Sequence, residues 1–393
     1  MDYTKISEEK KYYYNSDNFE KFFSIKLILR EFYKFLDKDD IKHLCLLNKK
    51  IYTKSCELIK TLKINKEAET LNLESLFKKY HDINNLDLSK YKKIKDFRPI
   101  SKLKELTNLN ASNINISDIS FLEKNKKLKE LNLEFCPFIK DFSTISKLEN
   151  LEILDVSLTE ITDISFLENN KKLKELNLKF CSYIKDYSPI SKLEKLEILK
   201  ASEIPDISFL EKNRNIKELQ FSTKDKDLTP LSKLSKLEVL KIRGEIFDIS
   251  FLKENKNLKN LNLFFCSNIN DFTAISELEK LESLDASFTN VIDISFLKNN
   301  KNIKELRLNN CKNINDFRLI SNLVKLEVLQ VENTNISDIS FLEKNKNIKE
   351  LNLNYCKNIK DFKPIIKLHN LEVLDAQICQ NKNIKELILN YYK

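Results

Sequence analysis

The chain has 393 residues and a formal net charge of +9, with 41% hydrophobic and 32% charged residues, an ordinary balance for a folded, water-soluble protein. Its single glycine, Gly244, excludes the Gly-rich phosphate cradles of nucleotide enzymes, whose backbone must approach phosphate closely. No run of about 18 apolar residues offers a membrane span, and the length exceeds what one core organises, so several domains or a linear array is expected.

The first 66 residues hold 15 Lys and Arg against 10 Asp and Glu, and elsewhere the two signs are interspersed. That is the pattern of a solvated surface rather than of a clustered face that follows phosphates, so no nucleic-acid partner is expected. The opening MDYTKISEEKKYYYN is polar, with neither the apolar core of a signal peptide nor an Arg-rich presequence. It predicts an intracellular, cytoplasmic protein with no membrane partner and a flexible segment over residues 1–21.

Residues 22–66 have a helical rhythm. Ile25, Ile28, Leu29, Phe32, Phe35 and Leu36 recur at helical spacing; Asp37, Lys38, Asp39 and Asp40 supply a turn and an N-cap; Ile41, Leu44, Leu47 and Ile51 resume the apolar stripe. Two or three short helices are predicted, which at the least would cap whatever follows.

From about residue 68 the motif LxxLxL recurs, with its central Leu at 86, 109, 131, 154, 176, 199, 219, 240, 261, 284, 306, 329, 351 and 374. Units of 20 to 23 residues contribute one short parallel strand each and bury their apolar face only by stacking. Two forms alternate. Form A reads LKELNLEFCPFIKDFSTISKLEN from Leu128 and form B reads LEILDVSLTEITDISFLENNKK from Leu151. Both place Leu at alternate strand positions inward, followed by an inward Cys in A and often Thr in B. Cys136, Cys181, Cys266, Cys311 and Cys356 then lie two coils apart, near 10 Å at a strand spacing of about 4.8 Å, too far for a disulfide. They are predicted to be buried and reduced. With no CxxC pair and with His43, His81 and His369 scattered, no metal, cofactor or catalytic cysteine is expected.

The aspartates of the recurring DISF are expected to be neither metal ligands nor catalysts. The pairs Ser120 and Glu123, Ser165 and Glu168, Ser208 and Glu211, and Ser340 and Glu343 have capping-box spacing, so a short helical turn should open there. Around 219–252 the Cys is missing, the unit shortens and the one Gly occurs, which predicts a local change in curvature. At the far end the spacing collapses, and IKELIL near residue 387 is expected as a last strand.

These units resemble leucine-rich-repeat proteins over about four fifths of the chain. The resemblance implies an α/β solenoid over 67–393, about 13 to 14 repeats with a curved parallel sheet on the concave side, short helices or turns on the convex side, and a small all-α cap ahead of it. In register with the family's core, Phe32, Phe35, Leu36, Asp37, Asp40, Ile41, Leu44, Leu47 and Lys49 of the 22–66 stretch also resemble an F-box, although Ile25 stands in place of the usual Pro and Ile51 in place of the frequent Trp. That resemblance implies that Ile28, Phe32, Leu36, Ile41, Leu44 and Leu47 offer an apolar surface to a Skp1-like adaptor of a cullin ubiquitin ligase while the repeats hold a protein target. The alternative is a repeat scaffold or inhibitor of a cellular protein whose helices only cap the solenoid. An excess of Lys, Asn and Ile, whose codons are rich in A and T, the repeats and the F-box-like start together resemble the leucine-rich-repeat gene families of large DNA viruses such as insect poxviruses, which would place the protein in a host cytoplasm.

Comparison of the repeats with one another nominates a binding surface. The central outward slot varies (Asn132, Asp155, Asn177, Lys200, Gln220, Lys241, Asn262, Asp285, Arg307, Gln330, Asn352, Asp375), as expected of a surface that reads an irregular partner. The slot before Cys or Thr holds Phe135, Leu158, Phe180, Phe265, Phe288 and Tyr355, with Phe264 beside it. These rings are either binding anchors or fold over onto the neighbouring loop. Lys179, Lys200, Lys241, Arg243 and Arg307 are a basic set that would favour an acidic partner.

Overall fold

The computed structural model describes residues 61–63, 72–89 and 91–376. The F-box-like residues Ile28, Phe32, Leu36, Ile41, Leu44 and Leu47 and the expected last strand near residue 387 lie outside the described residues. The chain divides into two compact units, 1–138 and 139–393.

The first unit contains strands β1 (Thr61–Lys63), β2 (Asn85–Asp87), β3 (Asn108–Asn110) and β4 (Glu130–Asn132), with helix α1 (Leu73–Lys79) between β1 and β2. Each strand pairs in parallel with the next, Leu62 opposite Leu86, Leu86 opposite Leu109 and Leu109 opposite Leu131. Among the described residues the sheet therefore opens at Thr61, inside the stretch assigned from sequence to the helical cap. Leu62 is followed by no Cys or Thr corner, so the repeat signature does not reach it. Helix α1 is capped by Asn72, whose side chain accepts the Ser75 N–H, and buries Leu73 and Phe77.

The second unit carries β5 (Ile153–Asp155), β6 (Glu175–Leu178), β7 (Ile198–Glu203), β8 (Glu218–Thr223), β9 (Val239–Gly244), β10 (Asn260–Asn262), β11 (Ser283–Asp285), β12 (Glu305–Arg307), β13 (Val328–Gln330), β14 (Glu350–Asn352) and β15 (Val373–Asp375). These too run parallel in chain order, with the central leucines of neighbouring coils opposite one another. Leucines 154, 176, 199, 219, 240, 261, 284, 306, 329 and 351 are all buried, as the period-two alternation requires.

Opposite the strands, each coil returns through a five-residue 3-10 helix, such as Ser143–Lys147 in form A and Ser165–Asn169 in form B. A 3-10 turn rises faster than an α-turn and suits a return path of one short turn per coil. The predicted capping boxes do not form: no side-chain cap bond is made at Ser120, Ser165, Ser208 or Ser340. The aspartate two residues earlier does that work, with Asp118 accepting the Ser120 N–H at 2.8 Å, Asp163 that of Ser165 at 2.8 Å and Asp338 that of Ser340 at 2.8 Å. An aspartate at this offset closes an Asx-turn onto one of the helix's free N–H groups. Form A uses the same device through Asp141, Asp186, Asp227, Asp271 and Asp316. These N–H and side-chain hydrogen bonds hold the five form A carboxyls below their ordinary pKa; for Asp316, where the Arg318 side chain donates as well, it falls to about 2.

Candidate protein-binding surface

The form A cysteines are buried and free, as expected. Each thiol reaches back to a backbone carbonyl of the preceding coil: Cys136 to Ala111 O at 3.1 Å, Cys181 to Val156 O at 3.2 Å, Cys311 to Ala286 O at 3.1 Å and Cys356 to Val331 O at 3.1 Å. Thr159, Thr289 and Thr334 of form B fill the matching corner, each 3.7 Å from the next thiol. Burial pushes the cysteine pKa values up, to about 12 for Cys266, so these thiols are inert spacers. Among the described residues no group of three or more His, Cys, Asp or Glu is placed to hold a metal ion. A cavity of about 320 Å³ beside Phe142 and Phe166 is lined by Asp141 and Asp163, but both carboxylates already accept backbone N–H bonds from Ser143 and Ser165.

The residue just before each Cys or Thr has a left-handed backbone. Phe135, Leu158, Phe180, Phe265, Phe288 and Tyr355 have φ between +54° and +66°, as do Asn113, Asn310 and Asn333 near the same values. Asn tolerates this conformation, whereas a large side chain is strained there by roughly 1–2 kcal/mol. The strained residues are not buried in compensation: Phe135 is 47% exposed, Phe180 66%, Phe265 55% and Tyr355 42%. These four rings do not fold away onto the neighbouring loop, whereas Phe288 is half-buried in its stack on Phe265.

What holds that strained turn is the central outward slot. Asn132 accepts the Glu134 N–H at 2.8 Å, Asp155 that of Ser157 at 2.9 Å, Asn177 that of Lys179 at 3.1 Å, Asn262 that of Phe264 at 3.1 Å, Asp285 that of Ser287 at 3.0 Å and Asn352 that of Asn354 at 2.9 Å. Every bulky left-handed residue is thus preceded, three positions earlier, by an Asn or Asp that locks the turn. Where the central slot is Arg307 or Gln330, the left-handed residue is itself Asn. Much of the variation attributed from sequence to recognition is therefore framework, and Asn132, Asp155, Asn177, Asn262, Asp285 and Asn352 are turn-makers.

Lys200, Gln220 and Lys241 break the rule and mark the irregular segment. With no Asx-turn and no left-handed corner, β7, β8 and β9 run on to six residues. Gly244 ends this run at φ +131° against Thr223, where a Cβ would lie 1.9 Å from the Thr223 carbonyl oxygen. The lone glycine is required by that close approach.

The longer strands carry the basic residues. Lys200 and Lys241 lie in one register row, bounded by Asp155 on β5 and Asp285 on β11. Arg243, two residues past Lys241, shares its face. The Lys179 ammonium is held below its ordinary pKa, first by partial burial and then by Lys200, Lys241 and Arg243 nearby. Lys200 is partly neutralised by Glu218 at 3.2 Å. Arg243 lies over the Phe264 ring at 5.2 Å. Phe264 meets Phe265 edge-on at 4.6 Å and Phe288 at 5.3 Å, while Phe265 and Phe288 stack at 4.4 Å.

The structure thus brings together Lys200, Lys241, Arg243, Phe264, Phe265 and Phe288 with Lys179, and places Phe180 at the other edge of the long strands, its N–H donating to Ser202 Oγ of β7. Arg307 stands apart, paired with Glu305 at 2.9 Å, and Tyr355 lies beyond β14. Phe135 belongs to the first unit. The turn-locking role of the central Asn and Asp was legible only as Asn recurring in the left-handed slot of sister repeats.

A family profile for leucine-rich repeats in two copies matches residues 104–147 and 324–367. No curated protein matches the chain by sequence. Among solved structures, an internalin from Listeria monocytogenes is similar at 27% identity and a TM-score of 0.61, over 70% of this chain and 88% of that one. A leucine-rich-repeat protein from Leptospira interrogans is similar at 21% identity and a TM-score of 0.69, over 84% and 86%. The plant peptide hormone receptor RGFR1, solved in complex with RGF2, is similar at 19% identity and a TM-score of 0.57, over 78% and 53%. With its stacked parallel strands and short return helices, this chain is a leucine-rich-repeat protein in fold.

Proposed function

We propose that the chain is a protein-binding receptor with no bond-making chemistry of its own, whose strand face holds a protein target and whose F-box-like stretch delivers that target to a Skp1-like adaptor of a cullin ubiquitin ligase. The observation that carries the binding half is the row of exposed, conformationally strained aromatic residues, Phe180, Phe265 and Tyr355 among them. Strain kept in exposed side chains, where Asn is used without it elsewhere in the same chain, points to a job outside the fold. The complex of the plant receptor RGFR1 with RGF2 shows a similar fold engaged with a partner. The adaptor half rests on the F-box resemblance of residues 22–66. On this reading the protein acts in the cytoplasm, that of a host cell if the chain is viral.

The test is co-purification of adaptor and cullin with the full-length chain and with its Phe32→Ala and Leu44→Ala variants. The adaptor reading expects wild type to bring both down and the variants to lose them while still folding. Variants that lose thermal stability, from a wild type that captures neither protein, would instead assign residues 22–66 to capping alone.

A further inference from the structure

We propose that the strip across β6–β11 takes a short acidic segment of a protein partner, its carboxylates on Lys179, Lys241 and Arg243 and an apolar side chain on the Phe264, Phe265 and Phe288 cluster. This deepens the reading of the strand face as a protein-binding surface and does not depend on the adaptor half.

Charge complementarity selects the occupant. Lys179 and Lys241 form no ion pair among the described residues, Arg243 faces a ring rather than a carboxylate, and Lys200 contributes little because Glu218 holds it. Three cations with no carboxylate partner among the described residues, placed close enough that Lys200, Lys241 and Arg243 add to burial in holding down the protonation of Lys179, leave an anion-binding surplus on this strip. The strip is also short. From β6 to the β11 coil that carries Phe288 are five strand spacings, about 24 Å, which an extended peptide covers with about seven residues. At its ends, the same register row meets Asp155 on one side and Asp285 on the other, before it continues to Arg307, which Glu305 holds. A nucleic-acid strand longer than the strip would run its phosphates into those carboxylates, whereas a short acidic peptide fits between them.

The aromatic cluster sets the second half of the specificity. Phe265 is 55% exposed and stacked on Phe288, so the pair offers a rigid apolar platform one and two coils beyond Arg243. An ordered ring pair costs little further entropy on binding, which is what an anchor for an apolar side chain requires. The six-residue strands supply the rest: without the left-handed corner, β7 to β9 expose more backbone-straight surface than any other coils described.

Selection of a randomised twelve-residue peptide library against the full-length chain tests the proposal. The peptides retained should be enriched in Asp and Glu beside an aromatic or aliphatic residue. A selected peptide, synthesised with a fluorophore and titrated by anisotropy, should bind about tenfold more weakly to Lys241→Glu/Arg243→Glu. It should also bind more weakly to Phe265→Asn and as rising salt screens the charges, yet be indifferent to Lys233→Glu on a return helix. Retained peptides without acidic bias, binding that survives the double reversal, or a twelve-nucleotide single strand that binds more tightly would each overturn it. Retained peptides that ignore the double reversal would still leave the protein-binding reading intact, and adaptor co-purification is measured separately.

Discussion

A phenylalanine at φ +66° is a poor choice for a corner that asparagine turns cheaply three times elsewhere in the chain. Phe265→Asn is therefore expected to raise stability by about 1 kcal/mol in urea unfolding, while weakening partner binding. A variant both less stable and equally sticky would remove the case for function at this slot. At Gly244 the sign is opposite. The Gly244→Ala side chain would collide with the Thr223 carbonyl, so a loss well above 1 kcal/mol is expected in the same assay. The outward aromatic residues were legible in sequence only as the slot before the inward Cys or Thr, because period-two alternation alone would put Phe135 on the same face as Leu131 and Leu133; the left-handed corner turns it outward. Their left-handed backbone was not, since a Phe does not announce positive φ; the signal lay in Asn113, Asn310 and Asn333, which occupy the same slot.

Between elements, the tie that sequence reasoning overlooked is a buried asparagine at the end of each form B return helix. Asn125, Asn170, Asn213, Asn255, Asn300 and Asn345 are fully buried, and each side-chain amide donates to two carbonyls of the preceding form A helix. Asn300, for example, reaches Ile275 O at 3.0 Å and Leu278 O at 2.8 Å. Asn300→Ala leaves both carbonyls buried without that donor, and a loss of about 2 kcal/mol is expected in thermal or urea unfolding. These asparagines hid within the polar runs FLEKNKK and FLENNKK, where surrounding lysines and glutamates suggested a solvated loop. The capping-box expectation failed for a related reason. Ser and Glu have the right spacing for an α-helical first turn, but a five-residue 3-10 helix is closed from Asp two residues before, and DISF already contained that Asp.

Over the whole molecule the repeated aspartate turns make acid a shared weakness. Because the native pKa values of Asp141, Asp186, Asp227, Asp271 and Asp316 are depressed, their contribution is complete above the ordinary carboxylate pKa of 3.8 and is lost as pH falls through the native values, toward about 2 for Asp316. The unfolding temperature should stay level from neutral pH to about 5 and drop steeply between 4 and 2. Asp316→Asn should flatten part of that drop, and an unchanged profile would show that these turns do not set acid stability. The register of the central leucines, the alternation of the two forms and the buried cysteines were all legible in the sequence, because each repeats many times. The functional strip was half legible: Lys200, Lys241 and Arg243 stood out as charges, but only the lengthened strands explain why they share a face with the phenylalanine cluster.

The two backward ties also give the array a reading frame. Form B grips the form A coil before it through a buried asparagine, and form A grips the form B coil before it through a buried thiol. A junction of two like coils lacks one of the two donors: a second form A coil carries Leu278 or Leu323 where form B carries Asn300 or Asn345, and a second form B coil carries Thr289 or Thr334 where form A carries the thiol. The chain therefore keeps both ties only when it gains or loses length in pairs: excising Cys311 through Tyr355 restores the alternation, whereas excising one form B coil removes an asparagine tie and excising one form A coil removes a thiol tie. A gene built this way can change the reach of its binding face by recombination between its own repeats, provided that it counts in twos.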